Sequence, residues 1–240
     1  MIIHLIILFS GSLILVATGY DGSKGDQDLV QVVDLNSNTS CSSLQNFPSA
    51  VDGATGAVLN NIPIICGGRD NNFEYQNACY AYEKSSQSWL LHAKMNNRKA
   101  VASTTVINGA LLVSGGFNED YLASSEYIYP NGTVSAGPTM PTGRYSHCTI
   151  TLHDGRIMLI GGHPLSSNGK NVLVFDPDNN SFTQGPSLLY KRYNHGCALF
   201  YSAKHGGRPV VLSAGGYGQS TAEILDYTMS NAEWERSKHI

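Results

Sequence analysis

Apolar runs of four to seven residues recur along this chain, each ending in glycine and followed by a polar stretch. The clearest are LILVATGY (13–20), PIICGG (63–68), ALLVSGG (110–116), IMLIGG (157–162) and VVLSAGG (210–216). Runs this short, bounded by turn residues, predict β-strands buried on both faces rather than helices. With Thr18, Gly67, Gly115, Gly161 and Gly215 as anchors, the intervals are 49, 48, 46 and 54 residues. A second apolar or aromatic segment follows each anchor, in the form VQVVDL, CYAYE, EYIYP, VLVFD and AEILDY. A further shared position falls 19 to 23 residues after the anchor, at Cys41, Trp89, Val134, Phe182 and Trp234. Upstream, another strand opens near Arg98, Arg144 and Arg192, as in GRYSHCTITL and KRYNHGCALF. The pattern therefore predicts five units of four short strands each.

Two adjacent glycines at a strand end are costly in chain entropy, so their recurrence has a steric reason. Gly67–Gly68, Gly115–Gly116, Gly161–Gly162 and Gly215–Gly216 are expected to adopt positive φ and to let neighbouring backbone approach closely. The units differ in detail. The first has Thr18 in place of a glycine, the second opens with SAVDGATG instead of an arginine, and the fifth carries the insertion YSAKHGGRPVV.

Four strands repeated at about 50 residues is the spacing of a kelch blade. On the double glycine, the aromatic about twenty residues later and the Arg-Tyr-x-His opening, the chain resembles kelch-repeat β-propellers, most closely secreted invertebrate kelch-repeat proteins. The resemblance covers nearly the whole sequence. It implies an all-β fold of about five four-stranded blades, in a propeller that is complete or part of a longer one. Arg98, Arg144, His147, Arg192 and His195 are then blade-opening residues with structural roles, and the shared aromatic fills the wedge between blades.

Composition narrows the function. The 240 residues are 42% apolar and 14% charged, with a net charge of −3. No basic block or stripe offers a surface for nucleic acid. Residues 1–12 read as a signal peptide that overlaps the first strand, leaving 13–240 as the propeller. That segment lacks Lys and Arg and has only His4, so IIHLIIL also reads as a first blade strand. Ser10, Gly11 and Ser12 interrupt the run, and no membrane span is expected.

Cys66 and Cys79 are close enough in sequence to bridge neighbouring strands, or to be small buried apolar residues. The CGG…C arrangement of the resembled secreted proteins implies the disulfide. Cys148 and Cys197 read as buried thiols, and Cys41 is left open. Asn38, Asn131 and Asn179 each begin an N-glycosylation pattern in the turn before the shared aromatic, where Asn is also an ordinary turn residue. Together with the apolar start these features give a secreted location, with the cytoplasm as the alternative.

No nucleophile elbow, zinc-spaced cysteine set or phosphate loop occurs. Arg144-Tyr145-Ser146-His147 and Arg192-Tyr193-Asn194-His195 resemble the openings of galactose oxidase, a kelch-type copper enzyme. They recur in register with the fold, which favours the structural role, so neither an enzyme nor a cofactor or metal is expected. The irregular loops after the double glycines suit recognition instead. Phe73, Tyr75, Phe117, Tyr121 and Tyr217 are candidate aromatic anchors, with Arg69, Asp70 and His163 setting specificity. The expected function is a non-catalytic extracellular binding module for a protein or a glycan. The alternatives are a small-molecule enzyme of the galactose-oxidase type, and a fragment or intracellular kelch interaction domain.

Overall fold

The computed structural model describes residues 3–8, 13–36, 39–41 and 44–237, the first and third of these stretches by their backbone alone. It contains five four-stranded antiparallel sheets. The first sheet comprises β1 (Ile3–Leu8), β2 (Leu13–Asp21), β3 (Gly25–Asp34) and β4 (Thr39–Cys41), in that order. A two-residue strand, β5 (Val51–Asp52), then leads into the second sheet of β6 (Thr55–Leu59), β7 (Ile62–Cys66), β9 (Ala78–Glu83) and β10 (Ser88–Lys94). Inside its loop, β8 (Arg69–Asp70) pairs with β5. The third sheet holds β11 (Ser103–Ile107), β12 (Ala110–Ser114), β13 (Ser125–Ile128) and β14 (Val134–Ala136). The fourth holds β15 (Cys148–Thr151), β16 (Ile157–Ile160), β17 (Val172–Asp176) and β18 (Ser181–Gln184). The fifth holds β19 (Gly196–Ser202), β20 (Arg208–Ala214), β21 (Ala222–Leu225) and β22 (Trp234–Arg236). Each sheet is one meandering unit of the repeat, and the apolar start supplies β1, paired along β2.

Two compact units group these sheets. The first takes the chain to Asp120 together with Ser124–Gly137 and contains sheets one to three. The second takes Tyr121–Ala123 and the chain from Pro138, with sheets four and five.

In the first unit, β2 and β3 present Leu15, Ala17, Val30 and Val32 to a core shared with Phe47, Val51, Ile65 and Trp89. Trp89 sits at the shared position of β10, 6% exposed, edge-on to Phe47 and Tyr82, and its indole N–H donates to the Gln45 carbonyl at 3.2 Å. In the second unit Trp234 has the same place on β22, 4% exposed, donating to the Pro186 carbonyl at 2.9 Å. Both tryptophans fill the wedge and find a partner for their polar end, as a buried indole requires.

The double glycines take positive φ throughout: 66° and 103° at Gly67–Gly68, 62° and 106° at Gly115–Gly116, 63° and 110° at Gly161–Gly162, 68° and 106° at Gly215–Gly216. Thr18 is held in the same left-handed conformation, at 59°, although it carries a β-branched side chain. A Cβ on Gly161 would stand 2.6 Å from the Arg192 carbonyl oxygen, and one on Gly67 2.5 Å from that of Lys99. The second glycine of each pair donates to those carbonyls, Gly68 to Lys99 at 2.9 Å and Gly162 to Arg192 at 2.8 Å. Sheets two and three, and likewise sheets four and five, are thus joined main chain to main chain at the glycine pair.

Candidate functional site

The segments leading into the first strands of sheets three, four and five each place a cation in the interior. In the first unit this is Lys99, whose ammonium lies 2.9 Å from the Glu126 carboxylate, both side chains at most 2% exposed. Arg98, singled out in the sequence, does not fill that place. Its side chain is 64% exposed and makes only a 3.6 Å ion pair with the equally exposed Glu74. The carbonyl of Lys99 is the one that meets the glycine pair, so the register puts Lys99 inward and turns Arg98 to solvent.

In the second unit the same inward place is held by Arg144 and Arg192, neither with any exposure. Arg192 donates through Nε to Glu223 at 2.8 Å and through its other nitrogens to Gly215 O, Thr221 O and Thr221 Oγ1. Arg144 differs. Glu126 and Glu223 are the second residues of β13 and β21, facing Val113 and Ser213 across the ladder, and the matching residue of β17 is Leu173, facing Leu159. Arg144 is therefore bound by neutral acceptors, Gly161 O at 3.1 Å, Thr142 Oγ1 at 3.3 Å and Asn171 Oδ1 at 2.6 Å. Burial pulls its guanidinium down to about 10, which still leaves it charged at neutral pH. His147 is pushed well below the usual histidine range by burial, reinforced by Arg144 and His195. His195 is pushed down to about 4 by burial and the Arg192 charge, so both imidazoles are neutral at pH 7.

At the glycine end of the second unit's strands, the loops gather aromatic rings into a row. Tyr121 stacks on Tyr145 at 5.8 Å, with planes 2° apart, and Tyr145 on His163 at 4.9 Å. His163 meets Tyr193 edge-on at 5.4 Å, and Tyr193 meets Tyr217 at 5.3 Å. Tyr121 and Tyr217 are exposed, the latter at 65%. The sequence singled out Tyr121, His163 and Tyr217 for recognition. Tyr145 and Tyr193, which complete the row, were assigned there to blade openings, and their Arg-Tyr-x-His context already placed them at the same register.

The candidates of the first unit touch one another in series, Phe73 to Arg69, Arg69 to Tyr75 across a β-bridge, and Tyr75 to Phe117. Phe73 stands out at 73% exposed with a positive φ of 63°, and Arg69 lies over its ring at 5.2 Å. Arg69 also pairs with Asp52 at 3.3 Å. Asp70 is engaged within its own loop, accepting from the amides of Asn72 and Glu74 and from the Gln76 side chain. Tyr75 and Phe117 contact each other edge-on at 6.1 Å. Asp70 is accordingly a brace of the β8 loop.

Cys66 and Cys79 face each other across β7 and β9, with sulfurs at bonding distance and Cα atoms 4.0 Å apart. Cys148 and Cys197, read from the sequence as buried thiols, also have their sulfurs at bonding distance, between the first strands of sheets four and five with Cα atoms 6.1 Å apart. Their separation of 49 residues, one repeat, was the signal that the two lie side by side. Asn131 and Asn179 close turns. Asn131 Oδ1 accepts from the Thr133 amide and hydroxyl, and Asn179 donates to Asp176. Asn38 lies outside the described residues. Among the described residues no group of three or more His, Cys, Asp or Glu is placed to hold a metal ion.

Comparison with known proteins places the chain among kelch repeats. It is 24% identical to Kelch-like protein 15 of Danio rerio over 204 residues, covering 74% of this chain and 33% of the relative. It is 29% identical to Kelch-like protein 15 of Homo sapiens over 167 residues, 58% of this chain and 27% of the relative. With Kelch-like protein 36 of Bos taurus the identity is 32% over 130 residues, 50% of this chain and 21% of the relative. The chain spans a third or less of the length of these relatives. No protein-family model matches it. The chain has the kelch-repeat β-propeller fold, in about five four-stranded blades. The same comparison overturns the secreted location. Kelch-like proteins 15 and 36 are intracellular, and they point to the cytoplasm.

Proposed function

We propose that this chain is a cytoplasmic protein-interaction domain without catalysis of its own, which binds a protein partner through the loops at the glycine end of its second unit. The aromatic row from Tyr121 to Tyr217 carries this reading, because it offers rings that are half-buried at their bases and open at Tyr121 and Tyr217. Tyrosines held by their neighbours lose little freedom on binding and are enriched among interface anchors. The likeness to Kelch-like proteins supports an interaction domain, and a glycan ligand has no such support. In the cytoplasm Asn131 and Asn179 act as the turn residues their hydrogen bonds make them.

The test replaces Tyr217 with a photo-crosslinking phenylalanine analogue in the full chain expressed in animal cells. The same analogue at exposed Asn231, at the opposite end of the strands, is the control. Protein adducts from position 217 and not from 231 are expected. Equal adducts at both positions, or none at 217, refute the proposal.

A further inference from the structure

Resting on the reading just given, we infer that the partner presents an acidic peptide segment, and that the Tyr145–His163–Tyr193–Tyr217 part of the row receives it.

The observation behind this is the distribution of charge over the second unit. It has seven acidic residues. Glu223 is fully buried and committed to Arg192. The other six lie away from the glycine end: Asp176 is the last residue of β17, Glu235 is on β22, and Asp154, Asp178, Asp226 and Glu233 are on the turns at the far end of the strands. The loops at the glycine end, 138–147, 161–171, 185–195 and 215–221, contain no carboxylate at all. Their Lys and Arg residues are Lys170 and Lys191, both exposed, and the buried Arg144 and Arg192, of which Arg192 is paired with Glu223. The two lysines sit on touching loops, since Arg192 N donates to Gly169 O at 2.8 Å and a Cβ on Gly169 would lie 3.0 Å from the Lys191 Cβ. Surfaces normally intersperse the two signs, so a loop face with cations only is a field that attracts anions.

Arg144 reinforces that field from beneath. Its counterparts Lys99 and Arg192 are each neutralised by a carboxylate of their own blade, and Leu173 denies Arg144 that carboxylate. An uncompensated buried cation acts through low-dielectric surroundings and is screened less than an exposed one. At the Tyr121 end the sequence runs back into Glu119 and Asp120 of the first unit, which sets the acid-free boundary at Tyr145. The occupant that fits loops carrying these rings, two exposed lysines and a buried arginine without a carboxylate is a peptide with Asp or Glu side chains. Its carboxylates meet the cations, and its apolar portions lie on the rings.

A phage-displayed library of random short peptides, selected against the full chain, tests this. Enrichment of Asp and Glu is expected, with binding weakened about tenfold by Lys170→Glu together with Lys191→Glu and falling further with added salt. Peptides that lose binding with Tyr217→Ala, yet are not acidic and ignore the lysine reversals, overturn the inference and leave the interaction site standing. Absence of any peptide sensitive to Tyr217→Ala, or preference for a single-stranded RNA competitor over every peptide, overturns both.

Discussion

Replacing Glu223 with leucine makes the fifth blade resemble the fourth, and its cost follows from what the carboxylate holds. Glu223 is fully buried and accepts from Arg192 Nε at 2.8 Å, from the Tyr190 amide at 3.2 Å and from the Leu189 amide. Leucine leaves two backbone donors and one guanidinium edge unmet, while Arg192 keeps Gly215 O, Thr221 O and Thr221 Oγ1. A buried ion pair broken from one side costs about 3–5 kcal/mol, because the surviving charge stays desolvated. At about 2–4 °C per kcal/mol for a chain of this size, the melting temperature drops by about 10 °C. The two tryptophans lie in different units, so in a Trp89→Phe background the emission of Trp234 reports the second unit alone. Urea titrations of that protein, with and without Glu223→Leu, give the difference. Adding Arg192→Met removes the stranded charge, and the double variant is expected to regain 2 kcal/mol or more of the loss, of the order seen when whole buried pairs are replaced by apolar residues. A loss below about 1 kcal/mol, or no recovery in the double variant, refutes the assignment of the pair as a mutually dependent buried unit.

Acid weakens the second unit through His195. Its folded pKa of about 4 lies below the ordinary 6.5, so the unfolded chain binds more protons between these values and stability falls as pH drops through that window. Unfolding free energies from urea titrations at pH 7 and pH 5 should differ by about 2 kcal/mol from this residue, and His195→Gln should remove that share while buried His147 keeps its own. Gly161→Ala combines a positive φ with a Cβ placed 2.6 Å from the Arg192 carbonyl oxygen, and should cost at least about 2 kcal/mol by the same fluorescence assay. The proposed cytoplasmic location predicts reduced thiols, so alkylation in intact cells should label Cys148 and Cys197. Closing that link in the purified protein with glutathione disulfide should raise the unfolding free energy by about 4 kcal/mol, from the 49-residue separation it spans. A fluorescent fusion of the chain should distribute through the cytoplasm and not enter the medium.

The repeat was legible because its signals are spaced in sequence as they are in space. The glycine pairs and the apolar strands recur at one repeat length, the two tryptophans lie three repeats apart, and all land on equivalent places in the sheets. What escaped was decided by one-residue register or by side-chain partners. Arg98 and Lys99 are adjacent cations of similar length, and only the carbonyl that meets Gly68 settles which points inward. Asp70 looks like a specificity residue until its loop closes around it and consumes both carboxylate oxygens. The aromatic row was half seen, because Tyr145 and Tyr193 sit in a repeated motif and so resembled scaffold. The secreted location rested on an apolar start, the CGG…C pair and turn asparagines, and β-strands and hairpin turns need apolar runs and asparagines for their own reasons.

The joint between blades has a consequence for how such sequences vary. At Gly68 and Gly162 the adhesive is a peptide N–H on one side and a peptide carbonyl on the other, and the only side-chain requirement is that none be there. Peptide groups are common to every residue, so substitution elsewhere in a blade leaves that joint unaltered. A repeat assembled in this way drifts far in composition while its blades still dock, and identities of 24–32% to other kelch chains are what such an architecture permits. For engineering, the loops beyond each glycine pair are replaceable parts, provided the pair itself is left bare.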